Sequence, residues 1–178
     1  TLFRSDRWCY EQEEELGPIQ PTPLECIGPR VLREGSDLTL VGSSFSTLLN
    51  LQVCEALALE GISVEVVDLR VINPLNPLPI VESVQKTGRL VVTDGSWRNC
   101  GLAGEVVSLV SERLPLKAWK NKPVRITLPD APAPTSKPLE ADYYTKVSDI
   151  VAQCRSLMGP SIGRSATFTE WTSHEALT

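Results

Sequence analysis

At 178 residues, 42% of them hydrophobic and 22% charged, with a formal net charge of −5, the chain is long enough for one domain with a sizeable core and loose ends. Mild acidity without a basic run gives no electrostatic reason to expect nucleic acid or an anionic membrane as a partner. The apolar runs have the length of buried strands, far short of the roughly 20 residues a membrane span needs, and no charged-then-apolar start marks a signal peptide.

The five cysteines, Cys9, Cys26, Cys54, Cys100 and Cys154, are scattered and form no CxxC pair. That spacing argues against a disulfide framework and a zinc site, and it fits a reducing, cytoplasmic-type compartment. The one histidine, His174, stands in a polar stretch near the end, a poor place for the base of a catalytic pair. A start at Thr1 rather than Met suggests a fragment or a processed product.

Residues 1–35 lack a sustained period. They carry acidic residues from Glu11 to Glu15, then Pro18, Pro21, Pro23 and Pro29, which hold a chain extended and remove backbone donors. This is linker chemistry, with Trp8 and Tyr10 as anchors. From Ser36 the pattern becomes regular. Leu38 to Gly42 reads as a buried strand, and Ser43 or Ser44 can cap a helix whose stripe is Phe45, Leu48, Leu49, Val53, Ala56 and Leu57, closed by Gly61. Leu51 and Leu59 fall off that stripe, and a helix packed on a sheet can bury them partly, at a subunit contact.

The stretch VEVVDLRVINPLNPLP, Val64 to Pro79, reads as a strand, a loop stiffened by two Asn-Pro steps, and a helix start with Asn76 as cap and Pro77 in the first turn. Ile80, Val81 and Val84 then form a buried stripe before Gly88. A third strand runs from Arg89 to Thr93 and ends at Asp94. The loop DGSWRNCG leads to a helix bearing Leu102, Val106, Leu109, Val110 and Arg113. A fourth strand, Val124 to Leu128, is followed by the proline-rich loop PDAPAPTSKPLEAD and a last helix presenting Tyr144, Val147, Ile150, Val151 and Cys154.

Strands alternating with helices predict right-handed β-α-β crossovers: an α/β three-layer sandwich over residues 36–158, with a mainly parallel sheet of about five strands and helices on both faces. Residues 159–178 read as a flexible tail, with Phe168 and Trp171 docked on a partner or exposed.

Ligands of parallel α/β sheets gather at the carboxyl ends of the strands. GSSFS there resembles a nucleophile elbow only faintly, because Ser46 replaces the second glycine and no base is at hand. DGSWRNCGLAGE puts Gly101 and Gly104 at a helix start that could hold an anion, with Asp94, Trp97 and Arg98 at its rim; a domain or subunit contact explains the same residues. Asp68 and Arg70 can pair and order the loop carrying Asn73 and Pro74. Carboxylate pairs, phosphate-binding lysine loops and metal clusters are absent from the pattern. Catalytic, cofactor and metal residues are therefore assigned to none of these positions.

DLRVINPLNPLPIVESVQKTGRLVVTDG, followed by Gly101, Gly104 and Glu105 and then by PDAPAPTSKPLEADYY, resembles the carboxy-terminal domain of the transketolase superfamily. More narrowly it resembles the beta subunit of the decarboxylating component of 2-oxo acid dehydrogenase complexes, of the pyruvate, branched-chain or acetoin type. The likeness runs from about Gly35 to Cys154. TLFRSDRWCY resembles the exit of that subunit's preceding domain, and Pro18 to Arg33 its linker. Two features depart from the family pattern: Asp94-Gly95 followed by Asn99-Cys100-Gly101, and the tail after Gly159.

The resemblance implies a parent enzyme that decarboxylates a 2-oxo acid with thiamine diphosphate and magnesium and passes the acyl group to lipoamide. It implies that this part supplies contacts to a second copy, to an alpha subunit and to the acyltransferase, in the cytoplasm or the mitochondrial matrix. The activating glutamate and the magnesium motif have no counterpart here, so no cofactor is expected on this chain alone. Two alternatives stay open: a stand-alone domain for a small anion or nucleotide, and a transketolase-like enzyme acting on sugar phosphates, for which Arg70, Arg98 and Lys137 are few basic groups.

Overall fold

The computed structural model describes Glu13, Pro18, residues 21–23 and residues 27–159. Trp8, Tyr10, Phe168, Trp171 and His174 lie outside the described residues, as do most of the acidic segment and of the tail.

The order is β1 (Arg30–Arg33), β2 (Leu38–Gly42), α1 (Phe45–Ala58), β3 (Val64–Asp68), α2 (Leu78–Thr87), β4 (Leu90–Trp97), α3 (Leu102–Ser111), a 3-10 turn (Leu116–Ala118), β5 (Val124–Leu128), α4 (Lys137–Tyr143) and α5 (Val147–Met158). One five-stranded sheet runs β1-β3-β2-β4-β5. β1 is antiparallel to β3, and the other neighbours are parallel.

Period-two alternation sorts the strand residues between two apolar layers. Leu38, Leu40, Val64, Val66 and Val91 pack with Val53 and Leu57 of α1 and with Ile150, Val151 and Cys154 of α5. On the other face Val41, Val67, Leu69, Leu90 and Val92 pack with Ile80 and Val84 of α2 and with Ala103, Val106 and Val110 of α3. Helices thus cover both faces, as the alternation of elements predicts. β2 and β4 are neighbours although α1, β3 and α2 intervene, so the order of strands reverses between them.

Polar residues inside the second layer are paired. Thr39 Oγ1 lies 2.8 Å from Ser83 Oγ and 2.7 Å from Thr87 Oγ1, and all three side chains are buried. Glu65, 2% exposed, accepts hydrogen bonds from Lys86 Nζ and from the Gly35 N–H. Burial pushes its carboxyl pKa up, but bonds from Lys86, Ser83 and Gly35, with the Lys86 charge, outweigh that and hold it below its ordinary value. These bonds set the height of α2 along the sheet, which apolar contact alone leaves free.

At the amino-terminal pole of the parallel strands, Arg89 binds three separate segments. Its Nε donates to Asn121 Oδ1 at 2.9 Å and to Leu157 O at 3.1 Å, and its Nη1 donates to Asp37 O at 3.1 Å. Arg155 of α5 grips Glu60 beyond α1 with two donors, one of them Nε at 2.8 Å. That bond holds the Glu60 carboxyl below its usual range and raises the Arg155 guanidinium.

The structure departs from the sequence reading in several places. β1 lies inside the stretch read as linker, and its partner Val67 gives it a place on the sheet despite its exposed arginines. PDAPAPTSKPLEAD holds helix α4, because Pro138 sits in a first turn where a proline costs no hydrogen bond. Tyr144 accordingly precedes α5 rather than lying on it. β4 continues past Thr93 to Trp97 through an irregularity against β5. Arg113 is exposed, and Leu114 takes the buried place. Three of the five buried residues of α1 are polar, Ser46, Thr47 and Asn50, beside Val53 and Leu57. Leu51 packs against the core, whereas Leu59 is 85% exposed.

Candidate functional site

The carboxyl ends of the parallel strands form one pole of the molecule. Three non-glycine residues with positive φ stand there, one after each of β2, β3 and β4: Ser44 at 53°, Arg70 at 56° and Cys100 at 56°. Such backbone is uncommon away from glycine and holds only where the surroundings dictate it.

Asp94 organises the loop after β4. Its Oδ1 accepts the Ser96 N–H at 3.0 Å, and its Oδ2 accepts the Ala103 N–H at 2.8 Å, inside the first turn of α3. A carboxylate of the chain itself therefore occupies the seat that the helix start offers to an anion. Gly101 is required for this closure, since a Cβ there would stand 2.2 Å from Trp97 O and 3.0 Å from Asp94 Oδ2. Gly104 has a different role: its bare Cα admits Arg125, whose Nη1 would lie 3.3 Å from an added Cβ.

Trp97 ties this loop to the next one. Its Nε1 donates to Ala131 O and to Tyr143 Oη, both at 3.1 Å, while Tyr143 Oη donates to Ala131 O at 2.8 Å. Tyr144 packs edge-on against Tyr143, with centroids 5.1 Å apart. Asn99 Nδ2 adds a bond to Asp130 Oδ2 at 3.2 Å, and Arg125 Nη1 donates to Arg98 O at 3.3 Å. Asp94, Trp97, Arg98, Gly101 and Gly104 thus come together as the sequence reading grouped them, with Asp94 and Trp97 spending their polar atoms on the fold.

Asp68 and Arg70 are not brought together. Asp68 accepts from Thr47 Oγ1 at 2.9 Å, because the strand directs its side chain toward α1, while the positive φ of Arg70 turns that residue outward. Asn73 and Pro74 form an exposed turn across a cis peptide bond. Asn76 is not the cap residue: α2 begins at Leu78, which puts Pro77 at the cap and Asn76 one place before it, where its Oδ1 accepts the Leu78 N–H at 3.1 Å.

Sequence reasoning passed over Asn50, which is fully buried between β2 and β4. The Thr93 hydroxyl, which carries one proton, faces Asn50 Oδ1 at 2.8 Å and Val41 O at 3.1 Å. Among the described residues Asn50 Nδ2 has no hydrogen-bond partner, and a Cβ on Gly42 would lie 2.6 Å from it. A buried asparagine on a stripe read as apolar left no periodic signal.

The described residues contain no group of three or more His, Cys, Asp or Glu placed to hold a metal ion. The first-turn amide of Ala103 is taken by Asp94, which leaves fewer free N–H groups at the α3 start for an anion. No helix among the described residues is long and apolar enough to cross a membrane. What the pole does present is apolar surface: Ile72 is 57% exposed, Leu78 59%, Trp97 49% and Leu139 60%.

Comparison with known proteins agrees with this architecture. A pyruvate dehydrogenase E1 component subunit beta of Ascaris suum, a mitochondrial protein, is 30% identical over 159 residues, 84% of this chain and 44% of that protein. The subunit of the same name from Bacillus subtilis is 33% identical over 158 residues, 89% of this chain and 48% of its own. The chain therefore spans less than half the length of these relatives. A solved structure described as a split gene transketolase, an inactive beta4 tetramer, superimposes with a TM-score of 0.63 at 28% identity, covering 73% of this chain and 41% of its own. The profile of the transketolase C-terminal domain matches residues 29–150, and the chain belongs to that family.

Proposed function

We propose that the chain is the carboxy-terminal assembly domain of a 2-oxo acid dehydrogenase beta subunit. Its parent enzyme would decarboxylate a 2-oxo acid with thiamine diphosphate and magnesium and deliver the acyl group to lipoamide. On this reading the domain supplies subunit contacts, pairing with a second copy and meeting an alpha subunit and the acyltransferase, in the cytoplasm or the mitochondrial matrix. The chemistry belongs to other domains.

One observation carries the reading. At the pole where α/β enzymes place their sites, Asp94 and Trp97 spend their polar atoms on internal bonds while large apolar side chains face outward. A surface of that kind is suited to burial against protein. The relatives, named as pyruvate dehydrogenase beta subunits, support a 2-oxo acid dehydrogenase parent, and the tetrameric state of the split transketolase agrees with self-association.

Two measurements test it. Light scattering on the chain, alone and mixed with an alpha subunit, is expected to show dimers or mixed complexes. Calorimetric titration of the chain with thiamine diphosphate and magnesium is expected to give no saturable heat; tight binding would defeat the assignment.

A further inference from the structure

Among the described residues β5 is the end strand of the sheet and pairs only with β4, so one side of its backbone has no ladder partner there. It is not hidden. All five of its residues are half-buried, and a groove of about 890 Å³ runs along it, walled by α3 on one side and α5 on the other. The opposite edge strand, β1, is blunted by a bulge and by exposed Arg30 and Arg33.

Alternation sets what each wall of the groove offers. Val124 and Ile126 turn toward the α5 layer and pack against its core. Arg125 turns toward α3, over Gly104, and Arg98 borders the groove on the same side. The acids of the groove are already engaged: Asp142 faces Lys146 Nζ at 3.7 Å, and Asp149 accepts the Lys146 N–H at 3.0 Å to cap α5. Arg98 and Arg125 take part in no salt bridge among the described residues, although Glu105 borders the small cleft beside them.

We propose that this edge takes an extended segment of a partner subunit by strand addition, with apolar side chains toward α5 alternating with carboxylates toward α3. The main-chain edge supplies affinity, and the two guanidinium groups select acidic side chains. A second copy of the chain fits poorly. Antiparallel self-pairing of β5 puts its own Arg125 on the same face as its mate's, a like-charge contact. The inference rests on the assembly reading for the existence of a partner, and on the groove alone for the partner's chemistry.

The probes are two blocked peptides, acetyl-Glu-Val-Glu-Val-Glu-amide and acetyl-Lys-Val-Lys-Val-Lys-amide, titrated into the labelled full chain and followed by amide NMR. The acidic peptide is expected to shift β5 amides and slow their exchange, and to bind roughly tenfold tighter than the basic one, as two charge-assisted contacts imply. Arg125→Glu should reverse that preference. Arg98→Glu, on an exposed loop residue, should weaken it in the same direction if the first variant does not fold. The proposal is overturned if neither peptide moves a β5 amide at millimolar concentration, or if charge reversal leaves the preference unchanged. A chain that joins an alpha subunit yet binds neither peptide would overturn the strand addition and leave the assembly reading standing.

Discussion

Asp94 and Gly101 act as a pair at the residue scale. The carboxylate closes the first turn of α3 only because the chain passes Gly101 with no Cβ in the way. Gly101→Ala must push backbone away from Trp97 O, and a cost of about 2–3 kcal/mol is expected, read as a lower urea midpoint at an unchanged slope. Asp94→Ala removes the acceptor of two backbone N–H groups and is expected to cost about 1–2 kcal/mol in the same assay, without the steric part. This pairing was half visible in the sequence. The small residues at a helix start were apparent, but which carboxylate fills the seat depends on β4 running on to Trp97 and bringing its own aspartate to the helix.

Among the elements, α2 is held by polar groups inside an apolar layer. Glu65 has a folded pKa below its ordinary value of 4.5, so the stability it lends is complete above that value and is lost as pH falls through the depressed folded value. Glu60 on the other face shifts in the same direction and adds to the same acid limb. Lys86→Met removes one of the groups that depress Glu65. Urea titrations from neutral pH downward should show a loss on the order of 1 kcal/mol at neutral pH, discounted because Lys86 is half exposed, and a shallower fall in acid. If the variant and the parent chain fall in parallel, the pair is not the source of the acid limb.

Legibility followed the same physics. β2, β3 and β4 could be placed from the sequence because buried strands leave mainly apolar runs, and β5 because Val124, Ile126 and Leu128 alternate with Arg125 and Thr127. β1 could not, since RVLR is short, carries two arginines and owes its state to Val67 across the ladder. α4 was masked by Pro132, Pro134 and Pro138, three residues that read as loop although the last belongs to a first helical turn. The Asp68–Arg70 pair failed because Arg70 lies beyond the end of β3, where its positive φ turns it off the face that alternate strand positions share.

For the whole molecule, the two layers close differently. α5 is the last described element, and it completes the first layer by laying Ile150, Val151 and Cys154 on α1 and the sheet. Burial raises the Cys154 thiol to about 12, so it stays protonated and acts as a small apolar group. Ile150→Ala is expected to cost about 2–5 kcal/mol by calorimetry, with loss of the Arg155–Glu60 grip as α5 loosens. A cost under 1 kcal/mol would mean that α5 is an accessory rather than a wall of the core.

The antiparallel sense of β1 has one more consequence, which concerns the routing of the chain. Arg30 stands beside Asp68, the last residue of β3, and Arg33 stands beside Val66. The chain therefore comes down onto the sheet from the pole that bears Trp97, Ile72 and the Asn73–Pro74 turn, where a Cβ added to Gly28 would lie 3.7 Å from Asn76 Nδ2. Residues 27–29 approach the sheet on the side of the apolar rim. A parallel β1 would have led the chain away around the far end of the sheet. The direction of one four-residue strand decides at which pole the chain enters the sheet.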